Sequence, residues 1–304
     1  MPRSILLDCD PGHDDAIALL TALGSPDLHV LAVTVTHGNA PLERTLHNAR
    51  ALVELAGAST PVYAGATRPL QREPLYAPHI HGESGVGNVR LPEPVRPVAS
   101  GVAAQAIVDA ARAAPGEVTL VATGPLTNVA LALQLAPDLP DLLAGTVIMG
   151  GGLERGNASA YAEFNFLADP HAARAVLNAG LNPTLFPLNV THQVRVTRAR
   201  EAQVRAVGTV AARTSAAFLD DYLTRLEARD VGERAALHDP CTVVSLLQPD
   251  AFGVEARRVD VVDEDVDAIG QLVERPGEPN ARVALRASED AVYAVICERL
   301  GRLA

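Results

Sequence analysis

The chain has 304 residues, of which 48% are hydrophobic and 20% charged, and its formal net charge is −11. That size and balance suit one large α/β domain over residues 1–304, and they argue against a nucleic-acid polymer as partner, because phosphate binding needs a basic surface. All 25 lysine-plus-arginine positions are arginine, and without lysine Schiff-base chemistry, pyridoxal phosphate attachment and a Walker-type phosphate loop are excluded.

Cys9, Cys241 and Cys297 are odd in number and far apart, which disfavours a disulfide framework or a zinc ribbon. Tryptophan is absent, so any aromatic stacking must come from Tyr, Phe or His. No apolar run reaches the ~18 residues a bilayer span needs. The first residues, MPRSILLDCD, have no secretory signal pattern. The expectation is a cytoplasmic protein with no membrane partner.

Strand-like runs alternate with helical patterns along the chain. Ile5–Leu7 is a strand and Asp14–Leu23 a helix closed by Gly24 and Pro26. Leu28–Val35 is a strand, Leu42–Ala56 a helix, and Val62–Ala64 a short strand. Residues 65–99, rich in Pro and Gly, read as a long loop, and loops of that length are usually functional or mobile. Val102–Ala114 is a helix, Val118–Ala122 a strand, Leu126–Leu135 a helix and Thr146–Met149 a strand. Gly150–Asn165 is irregular. Ala172–Ala179 is a helix and Thr184–Leu188 a strand, and Arg198 to about Arg229 is mostly helical. Asp239–Leu247 is a short helix, Val254–Val262 and Ala281–Leu285 are strands, and Glu289–Leu303 is the last helix. This order predicts a mostly parallel, open, doubly wound, Rossmann-like sheet with additional helices.

Ligands of such sheets bind outside the carboxyl ends of the strands. Unusual polar residues follow those ends: Asp8 and Asp10, then His37 to Asn39, Thr123, the Asn157, Glu163 and Asn165 group, and Asn189 with His192. The segment DCDPGHDDA (Asp8–Ala16) holds four acids. Asp8 and Asp10 share one side of an extended chain, and Asp14 and Asp15 open a helix. Two carboxylates ~4 Å apart repel by roughly 4 kcal/mol at an effective dielectric near 20. The helix dipole offsets at most ~1–2 kcal/mol. A divalent cation is the stronger remedy, and oxygen-only ligands favour Ca²⁺ or Mg²⁺ over zinc. Helix capping accounts for one or two of these acids, not four. Taken alone, His238-Asp239-Pro240 reads better as a plain helix start, and His79, His81 and His192 read as loop histidines.

Taken together, DCDPGHDDA, THGNA (Thr36–Ala40), HGESG (His81–Gly85), TGPLTNVA (Thr123–Ala130), MGG (Met149–Gly151), AEFNF (Ala162–Phe166), NVTHQV (Asn189–Val194) and HDP (His238–Pro240) resemble the inosine-uridine-preferring nucleoside hydrolases in order and spacing. The resemblance covers essentially the whole chain. It implies calcium-dependent hydrolysis of the N-glycosidic bond of ribonucleosides. Ca²⁺ would be held by Asp10, Asp15, Asp239 and the Thr123 carbonyl, with Asp10 the general base toward calcium-bound water. It implies ribose contacts from Asp14, Asn39, Glu163 and Asn165, with Asn157 near the 5′-hydroxyl and Met149 under the sugar. Asp8 becomes a supporting acid, His81 borders the base pocket, and His238 protonates the leaving base with Tyr222 assisting. By the same analogy the enzyme is a homodimer or homotetramer acting on a small nucleoside.

Three departures stand out: Cys9 in place of Thr, Asn189 in place of Asp, and Val86-Gly87-Asn88 in place of an Asp-containing run. A Mg²⁺ phosphatase of the haloacid-dehalogenase type also has DxD after its first strand, with Asp8 as nucleophile, but it needs a lysine. A calcium-dependent nucleoside or sugar binder would bind without turnover.

Overall fold

The computed structural model describes residues 1–229 and 235–304. Among the described residues ten strands are formed: β1 Arg3–Cys9, β2 Leu28–Val35, β3 Val62–Ala64, β4 Val118–Ala122, β5 Gly145–Met149, β6 Thr184–Phe186, β7 Phe252–Arg257, β8 Val259–Val261, β9 Leu272–Glu274 and β10 Ala281–Ala287. Eight of them make one sheet in the order β3-β2-β1-β4-β5-β6-β10-β7. Every pairing in it is parallel except β10 with β7.

β1 is central because its sequence can be buried on both faces. Ile5 to Cys9 are all buried. The pleat sends Ile5, Leu7 and Cys9 into the core built with helices His13–Leu23, Leu42–Leu55 and Glu289–Leu300. Leu6 points into the opposite core, with helices Ala103–Ala113, Thr127–Leu135 and Pro170–Asn178. Each fully buried Leu or Ile contributes roughly 1.5–3 kcal/mol. The chain winds outward from β1 in both directions, so the switch point lies between β1 and β4. Residues 8–15 leave the sheet there.

The expected single strand Val254–Val262 is instead two strands in different sheets. β7 closes the edge of the large sheet, and β8 pairs antiparallel with β9 in a separate ribbon. Asn280 explains the break. Its side-chain oxygen accepts from Val259 N at 2.8 Å, and its amide donates to Val259 O at 3.0 Å. That clamp diverts the chain after Arg257. Pro187 ends β6 early, since it cannot donate to the ladder, and a short helix Leu188–Thr191 follows. Short helices also form at Pro78–His81, within the long loop, and at Leu139–Leu142. Among the described residues no helix is long and apolar enough to cross a membrane.

Candidate active site

Residues following β1, β2, β4, β5 and β6 line one cavity of about 280 Å³. Asp14, Asn39, His81, Thr123, Met149, Asn157, Glu163, Asn165, Tyr222, His238 and Asp239 all contribute to its wall. Asp8, Asp10 and Asp15 are buried and hydrogen-bonded to residues of that wall or of its supporting strands.

Asp10 continues the line of β1. One of its carboxylate oxygens, Oδ2, accepts from the backbone N–H of Asn39 at 2.7 Å. The other, Oδ1, is buried with no hydrogen-bond partner. Two glycines make room for it: a Cβ at Gly38 would sit 2.0 Å from Oδ2, and one at Gly124 2.5 Å from Oδ1. Asp15, in the first turn of its helix, accepts from Gly12 N (3.1 Å), Asn39 Nδ2 (3.0 Å) and Thr123 Oγ1 (2.8 Å). Asp239 stands at the start of helix Pro240–Leu247, yet its side chain makes no capping bond. Plain capping therefore does not account for it.

The oxygens of Asp14, Asp15 and Asp239 lie within 4.8 Å of one another. Burial first, and mutual repulsion second, raise these acids: Asp15 to about 6, Asp10 and Asp239 well above the ordinary range. Burial also raises Asp14. An orphaned buried oxygen beside oxygen-only donors fits a hard divalent cation, and the cluster can hold one. Thr123 O accepts from Asn165 Nδ2 at 2.7 Å, which leaves a second lone pair for a ligand.

Asp8 lies behind this cluster. Its Oδ2 accepts from Thr34 Oγ1 (2.6 Å) and Asn128 Nδ2 (2.9 Å), and burial pushes its pKa up to about 7. A carboxylate enclosed in this way is not an accessible nucleophile. Cys9 is fully buried, and burial pushes its thiol well up. Its role is packing. Asn189, the other departure, accepts from Leu153 N at 2.8 Å and so braces the loop after β5.

On the far wall Glu163 caps the short helix Phe164–Ala168 and also accepts from Gly151 N at 2.9 Å. Burial pushes its carboxyl up to about 7 despite three backbone donors. Asn157 accepts from Phe164 N at 2.9 Å, which folds the irregular segment back over the site. His238 Nδ1 lies 2.8 Å from Thr191 Oγ1, and its ring meets that of His192 edge-on at 5.6 Å. Burial lowers His238 and His192 each to about 4. Tyr222 lines the cavity and stacks on the ring of His13, with centroids 6.0 Å apart.

Several lining residues carry no signal in the sequence. Tyr76, Ile80 and Phe164 are ordinary apolar or aromatic residues, and only the length of the 65–99 loop pointed toward its part of the wall. His13 sits inside the motif itself, and Asp221 on a long helix. Both bear on His81.

The family model for inosine-uridine preferring nucleoside hydrolases matches residues 5–294. An inosine-uridine preferring nucleoside hydrolase of Leishmania major is 39% identical over 311 residues, covering 100% of this chain and 99% of its own. A pyrimidine-specific ribonucleoside hydrolase, RihA, of Salmonella paratyphi A is 39% identical over 307 residues, covering 99% of each. The solved structure of a purine-preferring ribonucleoside hydrolase from Gardnerella vaginalis superposes with a TM-score of 0.92 at 29% identity, covering 98% of both chains. With a doubly wound sheet, an acid cluster at its switch point and agreement along its whole length, the chain belongs to the inosine-uridine preferring nucleoside hydrolase family and is a ribonucleoside hydrolase.

Proposed function

We propose that hydrolysis of the N-glycosidic bond here depends on Ca²⁺, with Asp10 as general base and His238 as general acid. The observation that carries this reading is the buried, unpartnered Oδ1 of Asp10 among the carboxylates at the cavity floor. Asp10, Asp15, Asp239 and the Thr123 carbonyl would hold the ion, with Asp14 near enough to share in its field. When bound, calcium supplies positive charge that acidifies and positions a water.

The chain's own residues do the rest. Asp10 Oδ1, fixed by the Asn39 N–H on its companion oxygen, takes the proton from the attacking water. Asp14, Asn39, Glu163 and Asn165 receive the ribose hydroxyls, Asn157 stands near the 5′-hydroxyl, and Met149 lies under the sugar. Cleavage passes through an oxocarbenium-like sugar, and fixed carboxylates stabilise its charge in a site shielded from water. At neutral pH His238, lowered to about 4 by burial, holds one proton on its ring. To act as the acid it gains a second proton from solvent; the imidazolium then gives one proton to the base as the bond to C1′ breaks and returns to the neutral ring, which Thr191 Oγ1, 2.8 Å from Nδ1, orients. Such a group typically contributes ~10²–10⁴-fold.

The named relatives span inosine and uridine, pyrimidine and purine substrates. This chain has no tryptophan for base stacking, so Tyr76, His79, His81 and Tyr222 form the base side. By family analogy the enzyme works as a homodimer or homotetramer, in the cytoplasm. The deciding experiment is reducing-sugar release from inosine, adenosine, uridine and cytidine, with chelator and then with Ca²⁺ added back. Ribose release lost to chelator and restored by calcium is the expected result. Turnover indifferent to chelator would refute the calcium dependence.

A further inference from the structure

His81 reaches the cavity wall from the short helix Pro78–His81, a poor platform for a side chain that must be placed accurately. What holds it comes from elsewhere. Its Nδ1 accepts from the backbone N–H of His13 at 3.3 Å and lies 3.0 Å from His13 Nδ1. A ring nitrogen that accepts a backbone N–H carries no proton of its own, so the proton of a neutral His81 is on Nε2. Burial, above all, holds His81 well below the usual histidine range. Nε2 is then the nitrogen left for a ligand, and it is a donor.

His13 is itself held from behind. Its Nε2 lies 3.1 Å from Asp221 Oδ2, and its ring stacks on Tyr222 one residue along the same helix, Val210–Arg229. Asp221 also accepts from Asn88 N (3.2 Å) and Asn88 Nδ2 (2.9 Å) and pairs with Arg225. It is 10% exposed. The 78–88 loop is shaped to receive it, since a Cβ at Gly87 would lie 1.8 Å from Asp221 Oδ2. One carboxylate thus ties three separate segments together: the first turn of helix His13–Leu23, the loop bearing His81, and helix Val210–Arg229.

We propose that Asp221 is a positioning residue for the leaving-base contact: acting through His13 and Asn88, it fixes the ring of His81 so that Nε2–H is presented to the nucleobase. This rests on the hydrolase reading of the site. It adds a residue outside the cavity wall to the machinery of base recognition.

The test compares Asp221→Asn with the unaltered enzyme on two substrate types. Inosine and uridine need hydrogen bonds to the departing base. p-Nitrophenyl β-D-ribofuranoside has a leaving group that departs without them. The expected result is a fall of about tenfold or more in kcat/KM for the nucleosides against about twofold or less for the nitrophenyl riboside. In the background of His81→Ala, the Asp221 change should add little, because the two act as one unit. An equal fall on both substrate types would overturn the proposal, since it would mark general damage to the fold. So would no fall on either, or full additivity with His81→Ala. An unaltered enzyme inactive on all of these would instead overturn the hydrolase reading, and this inference with it. Should Asp221→Asn fail to fold, ¹⁵N-resolved histidine ring spectra of the unaltered enzyme still decide: a proton on Nδ1 of His81 overturns the proposal, and one on Nε2 supports it.

Discussion

The backbone N–H of Asn39 lies 2.7 Å from Asp10 Oδ2, so the strand-end loop after β2 orients the carboxylate that ends β1. Replacing Asp10 by Asn keeps the shape and removes the basic oxygen. Asp10→Asn is expected to lower kcat on inosine by about 10²–10⁴-fold while leaving the circular dichroism spectrum unchanged. A variant within tenfold of the parent would remove Asp10 from the general-base role.

The glycine cradle gives a second prediction. At Gly124 a methyl group would stand 2.5 Å from Asp10 Oδ1. The carboxylate, not the sheet, must yield. Gly124→Ala is expected to cost about tenfold or more in activity with only a small change in melting temperature. Full activity in this variant would show that the position of Oδ1 is not critical.

Calcium binding should be readable without any substrate. An ion that binds only the folded chain adds about 2.7 kcal/mol at 100 times its dissociation constant. Adding Ca²⁺ to chelator-treated protein should therefore raise the melting temperature by several degrees, and Asp15→Asn should abolish the rise. An unchanged melting curve at millimolar Ca²⁺ would count against the site.

His37 sets a pH dependence of stability. It is fully buried, and desolvation lowers it to about 4, with Asp169 pulling the other way. Between about pH 4 and the unfolded value near 6.5 the unfolded chain binds the extra proton. The stability is fully present above about pH 6.5 and is lost as pH falls through 4. The loss is roughly 3 kcal/mol for a shift of this size. Urea midpoints of His37→Gln should therefore vary less with pH over that window than those of the parent. Parallel profiles would refute the assignment.

The frame was legible wherever apolar runs were long or sharply bounded. Leu28–Val35, Val62–Ala64 and Val118–Ala122 form strands with the expected limits. The acids at the end of β1 were legible because so many cannot be explained by capping alone. β9 was not, since three residues carry too little pattern. The split at Arg257 depends on Asn280, more than twenty positions away, and no local window contains that clamp. Asp221 was hidden for a similar reason: on a helix rich in charge it looks like one more solvated acid, and only tertiary contact with His13 singles it out.

Asp14 and Asp15 lie near the start of the chain, and Asp239 comes only in its last quarter, yet their oxygens share a space 4.8 Å across. A ribosome making this protein has produced most of it before the third carboxylate exists. The three-carboxylate cluster therefore cannot be complete until most of the chain has been made.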